Sequence, residues 1–209
     1  MKFKEAIAKA KAAENKRNFR QTVEMVVNLK EVDAGKLTFN DAFRLPKGPG
    51  KPRFITVVAG GEVGLKAKPV ASLLIEKKDL GQYTDKKKAK QLANQTDFFV
   101  VELPLMGEFA KVMGTVLGPR GKMPLPKHIV PFNADPVPLI ETLKQTVRMV
   151  VKKAPVVHLM IGTEEMSDED LTENADFLYE NLIHKLEKEA QNVKNVYIKL
   201  TMGKPVKVE

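Results

Sequence analysis

Residues 117–124, LGPRGKMP, hold the types that a phosphate cradle uses: glycines that let backbone N–H groups approach an anion, and a lysine that can reach it. The spacing stops short of a nucleotide-hydrolysing loop. Such a loop needs a glycine five positions before its second glycine and a hydroxyl directly after the lysine. Val116 and Met123 stand in those places, so the usual magnesium ligand is lacking. Gly60, Gly61 and Gly64 follow an apolar run and precede a helical stretch, but they miss the GxGxxG spacing of a dinucleotide site and read as a tight strand-to-helix turn. His128, His158 and His184 are far apart in sequence and the chain has no cysteine, which leaves neither a zinc-ligand spacing nor a thiolate nucleophile. No carboxylate pair stands out. The residues therefore assign no catalytic group, cofactor or metal, and a nucleotide-binding enzyme or switch centred on residues 118–122 is kept only as the alternative reading.

Charge points elsewhere. A formal net charge of +9 favours a polyanionic partner, because Lys and Arg displace the counterions condensed on nucleic acid. The charge is uneven: residues 1–50 hold 11 basic and 6 acidic side chains, whereas 147–209 hold 9 and 11. Much of that acidity lies between Glu164 and Glu189, which reads as a solvated acidic helix and leaves the basic residues free to gather on another surface. The cluster DKKKAK, 85–90, reads first as an exposed charged helix and second as a phosphate contact. With 43% apolar and 29% charged residues the chain has a folded rather than a disordered composition. It holds neither the apolar stretch of a membrane span nor that of a secretory leader, so no membrane partner and a cytoplasmic location are expected.

The elements that would carry these residues follow from periodicity. FKEAIAKAKAA, 3–13, places Phe3, Ile7 and Ala10 along one side of a helix. In NFRQTVEMVVNLK, Val23, Met25, Val27 and Leu29 alternate with Thr22, Glu24, Val26 and Asn28, the period of a strand with one buried face. RLPKGPGKPRF reads as a turn or linker and sets a first domain boundary. From Phe54 onward strand and helix alternate: FITVVA, a helical stretch ending near Glu76, a charged helix through DKKKAKQLANQ, the apolar run FFVVEL, and the helix LMGEFAKVMG. That order predicts a parallel sheet wrapped by helices. GTVLGPRGKMPLPK reads as a loop, IVPFN as a short strand and 136–147 as a helix, with the second boundary near Thr146.

The remainder offers the strand VVHLMIGT, then a helix with capping-box spacing at Ser167 and Asp170 and the stripe Leu171, Ala175, Leu178, Leu182 and Leu186. In the last run Val196, Ile198, Leu200 and Met202 alternate with Tyr197, Lys199, Thr201 and Gly203, a second one-sided strand able to pair with the one around Thr22. The simplest arrangement has mixed α/β (α+β) character. Residues 1–50 and 147–209 form one split α+β domain, interrupted by an α/β insert at 51–146.

Three separated segments, NFRQTVEMVVNL, LGPRGKMPLPK and KLTMGKP, resemble in order and spacing the ribosomal protein L1 family, with LPKGPGK where that family has a hinge-side loop. The likeness covers nearly the whole chain, and its compact length and KGPGK loop look closer to the archaeal than to the bacterial branch. The resemblance implies a split RNA-binding domain, a non-enzymatic Rossmann-like insert, and hinges at Gly48, Gly50 and Thr146. Carried over by matching position, it implies an RNA-binding set of Phe19, Arg20, Thr22, Glu24, His158, Thr201, Met202 and Gly203. Lys30, Lys199 and Lys204 join that set, and Arg17 is a further phosphate contact. The implied partners are large-subunit rRNA, the transfer RNA of the ribosomal E site, whose release involves the mobile stalk, and in several members their own messenger RNA, which they repress. A monomer is expected when free.

The mixture of residue types suits structured RNA, which is read through shape, 2′-hydroxyls and phosphates. Threonines can exchange hydrogen bonds with 2′-hydroxyls, Gly203 permits close backbone approach, and Met202 or Phe19 can pack on a sugar or base. Glu24 repels phosphate, so on such a face it accepts from a base amino group or 2′-hydroxyl, or orients Arg20 or Lys199; otherwise it is an ordinary cross-strand ion pair.

Overall fold

A computed structural model describes residues 2–12, 17–32, 39–151 and 154–208. In chain order the elements are α1 (Phe3–Ala12), β1 (Thr22–Leu29), β2 (Phe39–Arg44), β3 (Ile55–Val58), α2 (Gly61–Ala67), β4 (Leu73–Ile75), α3 (Lys86–Gln95), β5 (Phe98–Glu102), α4 (Met106–Arg120), β6 (Ile129–Val130), α5 (Val137–Lys144), β7 (Thr146–Val151), β8 (Val156–Thr163), α6 (Asp168–Ile183), β9 (Val193–Leu200) and β10 (Val206–Lys207). Ala13, last residue of the expected first helix, lies outside the described residues. Two compact units emerge, Met1–Lys51 with Gln145–Glu209, and Pro52–Lys144.

In the first unit a four-stranded sheet runs in the order β10-β9-β1-β8, with antiparallel neighbours throughout. The alternation read from the sequence is physical: Val23, Met25, Val27 and Leu29 are buried, and Thr22, Glu24, Val26 and Asn28 are half-buried on the other face. The buried stripe packs with Phe3, Ala6, Ile7 and Ala10 of α1 and with Leu171, Ala175, Leu178 and Leu182 of α6 in one apolar core. Ser167 caps α6, its hydroxyl accepting from Asp170 N at 3.1 Å and donating to Asp170 Oδ2 at 2.7 Å. The acidic first turn of α6 stabilises the helix dipole and also binds cations, with Lys4 on Glu169 at 3.1 Å and Lys11 on Asp168 at 2.6 Å.

One bulge shapes the sheet. Val23 faces Gly162 while Glu24 faces Met160, so Ile161 has no partner on β1. The Ile161 carbonyl instead accepts from the Asn174 side chain at 2.9 Å, and the same amide group donates to Gly48 O at 3.0 Å. Asn174 Oδ1 accepts from Lys47 N at 3.1 Å. A single fully buried side chain thus satisfies three backbone groups and ties the 46–50 turn to α6.

The second unit carries a parallel sheet ordered β4-β3-β5-β6. All four residues of β3 and all five of β5 are buried, as expected for strands covered on both faces.

Four sequence expectations change. The helical stretch expected up to Glu76 ends at Ala67, because Pro69 has no N–H to continue the ladder after Lys68, and Leu73–Ile75 is a strand beside β3. The expected loop at 114–127 is helical as far as Arg120: α4 carries Pro119 in its last turn, where only the bond to Thr115 O is forgone, and ends on Gly121 at φ +69°. The helix expected through Val147 stops at Lys144, since the β-branched run from Thr146 pairs as β7 with β2, a two-stranded ribbon the sequence reading did not contain. Met202 is not a buried strand residue: β9 ends at Leu200, and Met202 is 61% exposed in the following turn.

Asn174→Ala removes three hydrogen bonds from buried or half-buried backbone groups. It is expected to lower the stability of its unit by about 1–3 kcal/mol, read as a shift of the urea midpoint at unchanged slope. A shift too small to measure shows that the 46–50 turn is held by something else.

Candidate nucleic-acid interface

The face of the four-stranded sheet turned away from α1 and α6 is built in rows. Glu24 sits between Met160 of β8 and Lys199 of β9; Val26 sits between His158 and Tyr197, with Lys207 of β10 beyond Tyr197; Asn28 sits between Val156 and Asn195. His158 and Lys207 are exposed and the others half-buried, so the face is a mixture of apolar bodies, amides, an imidazole and both signs of charge.

At the end of this face the two termini of the chain lock together. Thr201 N donates to Thr22 O at 3.0 Å, Thr22 N donates to Thr201 Oγ1 at 3.0 Å, and the same hydroxyl donates back to Thr22 O at 3.3 Å. A threonine hydroxyl has one proton and two lone pairs, so on exposed Thr201 one lone pair remains open to an outside donor. The turn continues with exposed Met202, half-buried Gly203, whose N–H reaches Leu200 O at 2.9 Å, and exposed Lys204. Lys199 Nζ folds over this turn onto Thr201 O at 3.1 Å.

Gln21, buried to 1% exposure, holds the turn in place. Its side-chain oxygen accepts from Met202 N at 3.2 Å, its side-chain amide donates to Glu164 Oε2 at 3.4 Å, and its own backbone N–H donates to Glu164 Oε1 at 2.9 Å. One amide therefore joins the ends of β1, β8 and β9. Directly before it, Phe19 is 51% exposed, and Arg20 is exposed and reaches Glu165 Oε2 at 2.8 Å.

Of the expected set, the structure thus gathers Thr22, Thr201, Met202, Gly203 and Lys199 at one sheet end, with Phe19, Arg20 and Lys204 adjoining in the chain and Glu24 in the next row. His158 stands one row further along the same face. Lys30 lies past the opposite end of β1, where its N–H donates to Asn192 O at 2.8 Å, roughly 25 Å of strand away from Thr22 by the ordinary rise per residue. Gly48 (φ +66°) and Gly50 (φ +71°) occupy left-handed backbone, and Thr146 is buried as the first residue of β7. A side chain at Gly50 would meet Met166 Sδ at 2.6 Å and Thr163 Oγ1 at 2.7 Å, so that position admits only glycine. Sequence reasoning missed Gln21, Glu164, Tyr197, Asn195 and Lys207. The first two become neighbours only through the fold, while period-2 alternation along β9 was signal enough for Tyr197 and Asn195.

The phosphate-loop alternative loses its lysine. Lys122 Nζ donates to Ala93 O at 2.8 Å and Thr96 O at 2.7 Å, binding the open carbonyls at the end of α3. Gly60 caps α2 and its N–H is taken by Glu102 Oε2 at 2.9 Å, which confirms the strand-to-helix turn. Among the described residues no helix is long and apolar enough to cross a membrane.

Comparison with known proteins agrees with this architecture. The profile of the "Ribosomal protein L1p/L10e family" matches residues 8–204. The chain is 44% identical over 211 residues to large ribosomal subunit protein uL1 of Thermococcus kodakarensis, an alignment covering 100% of this chain and 97% of the relative. It is 42% identical over 208 residues to that of Methanothermobacter thermautotrophicus, covering 98% and 97%, and 42% identical over 206 residues to that of Picrophilus torridus, covering 97% and 95%. With the match spanning both units, and with relatives of archaeal type aligned almost end to end, the chain belongs to the ribosomal protein L1 family.

Proposed function

We propose that this chain is a non-catalytic component of the large ribosomal subunit, and that it holds a folded segment of the subunit's RNA against the open sheet face and the Thr22–Thr201 edge. The observation that carries the reading is that edge: two threonines joined through backbone and hydroxyl, with Met202 exposed beside them and a lone pair of Thr201 left over.

The chemistry fits RNA better than a free phosphate. A 2′-hydroxyl can donate to Thr201 Oγ1, the Met202 thioether can lie against a ribose or base, and the half-buried Gly203 lets a backbone come close. Glu24 stands beside Lys199 in the next row, so a phosphate there meets mixed charge, while a base amino group or a 2′-hydroxyl finds an acceptor. In this reading the split unit supplies specific binding and the 52–144 unit is an appended arm, with Gly48, Gly50 and Thr146 near the two crossings between them. A protein so placed on the mobile stalk would move as transfer RNA leaves the E site. A messenger segment of the same shape would compete for the same face and allow repression of the chain's own synthesis. Both extensions draw their support from the family resemblance.

Thr201→Val should weaken binding to large-subunit rRNA by about 1–3 kcal/mol in a filter-binding titration, the scale of one lost directed contact, whereas Thr201→Ser, which keeps the hydroxyl, should stay near the parent value. Equal affinities for all three proteins would remove the assigned face. Gln21→Ala should speed hydrogen exchange at the Met202 amide and lower rRNA affinity while the sheet core stays protected; unchanged exchange at Met202 would show that Gln21 does not position the turn.

A further inference from the structure

A second cationic surface lies in the 52–144 unit. Between α3 and α4 runs an open groove of about 520 Å³ lined by Lys86, Lys90, Thr115 and Arg120, and it continues into a smaller hollow of about 230 Å³ beside Tyr83 and Lys111. Lys86 and Lys90 are one helical turn apart on α3, Lys111 and Thr115 are one turn apart on α4, and Arg120 reaches the groove from the last turn of α4, so cations stand on both walls with a hydroxyl between them.

Three other exposed lysines of the unit are paired with carboxylates. Lys66 pairs with Glu62 at 2.7 Å, Lys77 with Glu108 at 2.9 Å and Lys78 with Glu76 at 2.7 Å. Among the described residues Lys86, Lys90, Lys111 and Arg120 have no carboxylate partner. The nearest acids in sequence are already engaged: Asp85 accepts from Lys87 N at 2.9 Å as the cap of α3, and Glu108 is held by Lys77. Four like charges converging on one concave surface repel each other, a cost that an anion in the groove would offset.

We propose that this groove binds the phosphodiester backbone of RNA, without regard to base sequence, as a second contact separate from the sheet face. The lining favours a phosphate chain over an acidic protein. It offers cations and the hydroxyls of Tyr83, Thr84 and Thr115, donors that phosphate takes, and its apolar part is the short Val112, Val116 and Pro119 with the ring of Tyr83 half-buried against the core, rather than a protruding aromatic or long aliphatic anchor. The choice of RNA among polyanions rests on the rRNA-binding reading above; the groove and its charge do not.

The test uses the whole chain, its Lys86→Ala/Lys90→Ala/Lys111→Ala/Arg120→Ala variant, and Thr201→Val, each titrated over a range of KCl against poly(U) and against large-subunit rRNA. Loss of four phosphate contacts should flatten the log K against log salt slope for poly(U) by roughly 3, while Thr201→Val keeps the parent slope. Should the fourfold variant fail to fold, Lys86→Ala/Lys90→Ala on exposed α3 should flatten the slope by roughly half as much. An unaltered poly(U) slope overturns the groove, as does a variant that loses affinity for polyglutamate but not for poly(U), which would indicate an acidic protein partner. Thr201→Val with undiminished rRNA affinity would sink the sheet-face reading alone.

Discussion

The fold depends on β1 being paired on both sides by strands that the chain supplies only after an intervening unit. β8 and β9 flank it, and the lock between Thr22 and Thr201 spans 179 positions of sequence. Register here is strict, because a slip by one residue would turn Val23, Met25, Val27 and Leu29 to solvent and Glu24 into the core. Closing so long a loop costs only about 0.6 kcal/mol more for each doubling of its length, so the insertion of a whole unit between β1 and its partners is thermodynamically cheap. What it demands is an unambiguous apolar stripe, and β1 has one.

That stripe also decides what the opposite face can be. Once the apolar residues are committed inward, the outward residues are free to be chosen for recognition, and they are short or mixed in charge rather than uniformly basic. The carboxylates around the platform are held by the protein itself: Glu164 takes both donors of Gln21, and Glu165 takes Arg20. Acidic groups so placed do not attract RNA. They fix the directions of the amide and guanidinium beside them and repel a phosphate laid in the wrong position, which favours selectivity over raw affinity.

Where periodicity was long and one-sided, the sequence was a reliable guide: α1, β1, β8, α6 and β9 all follow from apolar spacing, and Ser167 with Asp170 marked a true cap. It failed where tertiary pairing outweighs local pattern. β2 and β7 are short and hydrogen-bond as strands only with each other, β4 has three residues, and the glycine- and proline-rich end of α4 looked like a loop because its cap and its helix share those residues. The platform was legible in part. Thr22 and Thr201 could be placed at strand ends from alternation and resemblance, but Gln21 could not be singled out. Its role exists only because the ends of three strands, far apart in sequence, meet around one amide.

The same reasoning explains why net charge is a poor map of a binding surface. In the first unit several cations are consumed by structure: Lys4 and Lys11 on the first turn of α6, Lys47 on Glu173 at 3.4 Å, and Lys185 on Asp41 at 3.3 Å. Lys122, the most suggestive residue of the sequence, is spent on the carbonyls that end α3. An exposed ion pair contributes little stability but neutralises much of the field around it, so a distant polyanion responds chiefly to the cations left without partners. The acidity of α6 is therefore more than a solvated face. By pairing with lysines from α1 and the 46–50 turn it takes up part of the first unit's positive charge, whereas between α3 and α4, among the described residues, no carboxylate answers the charge.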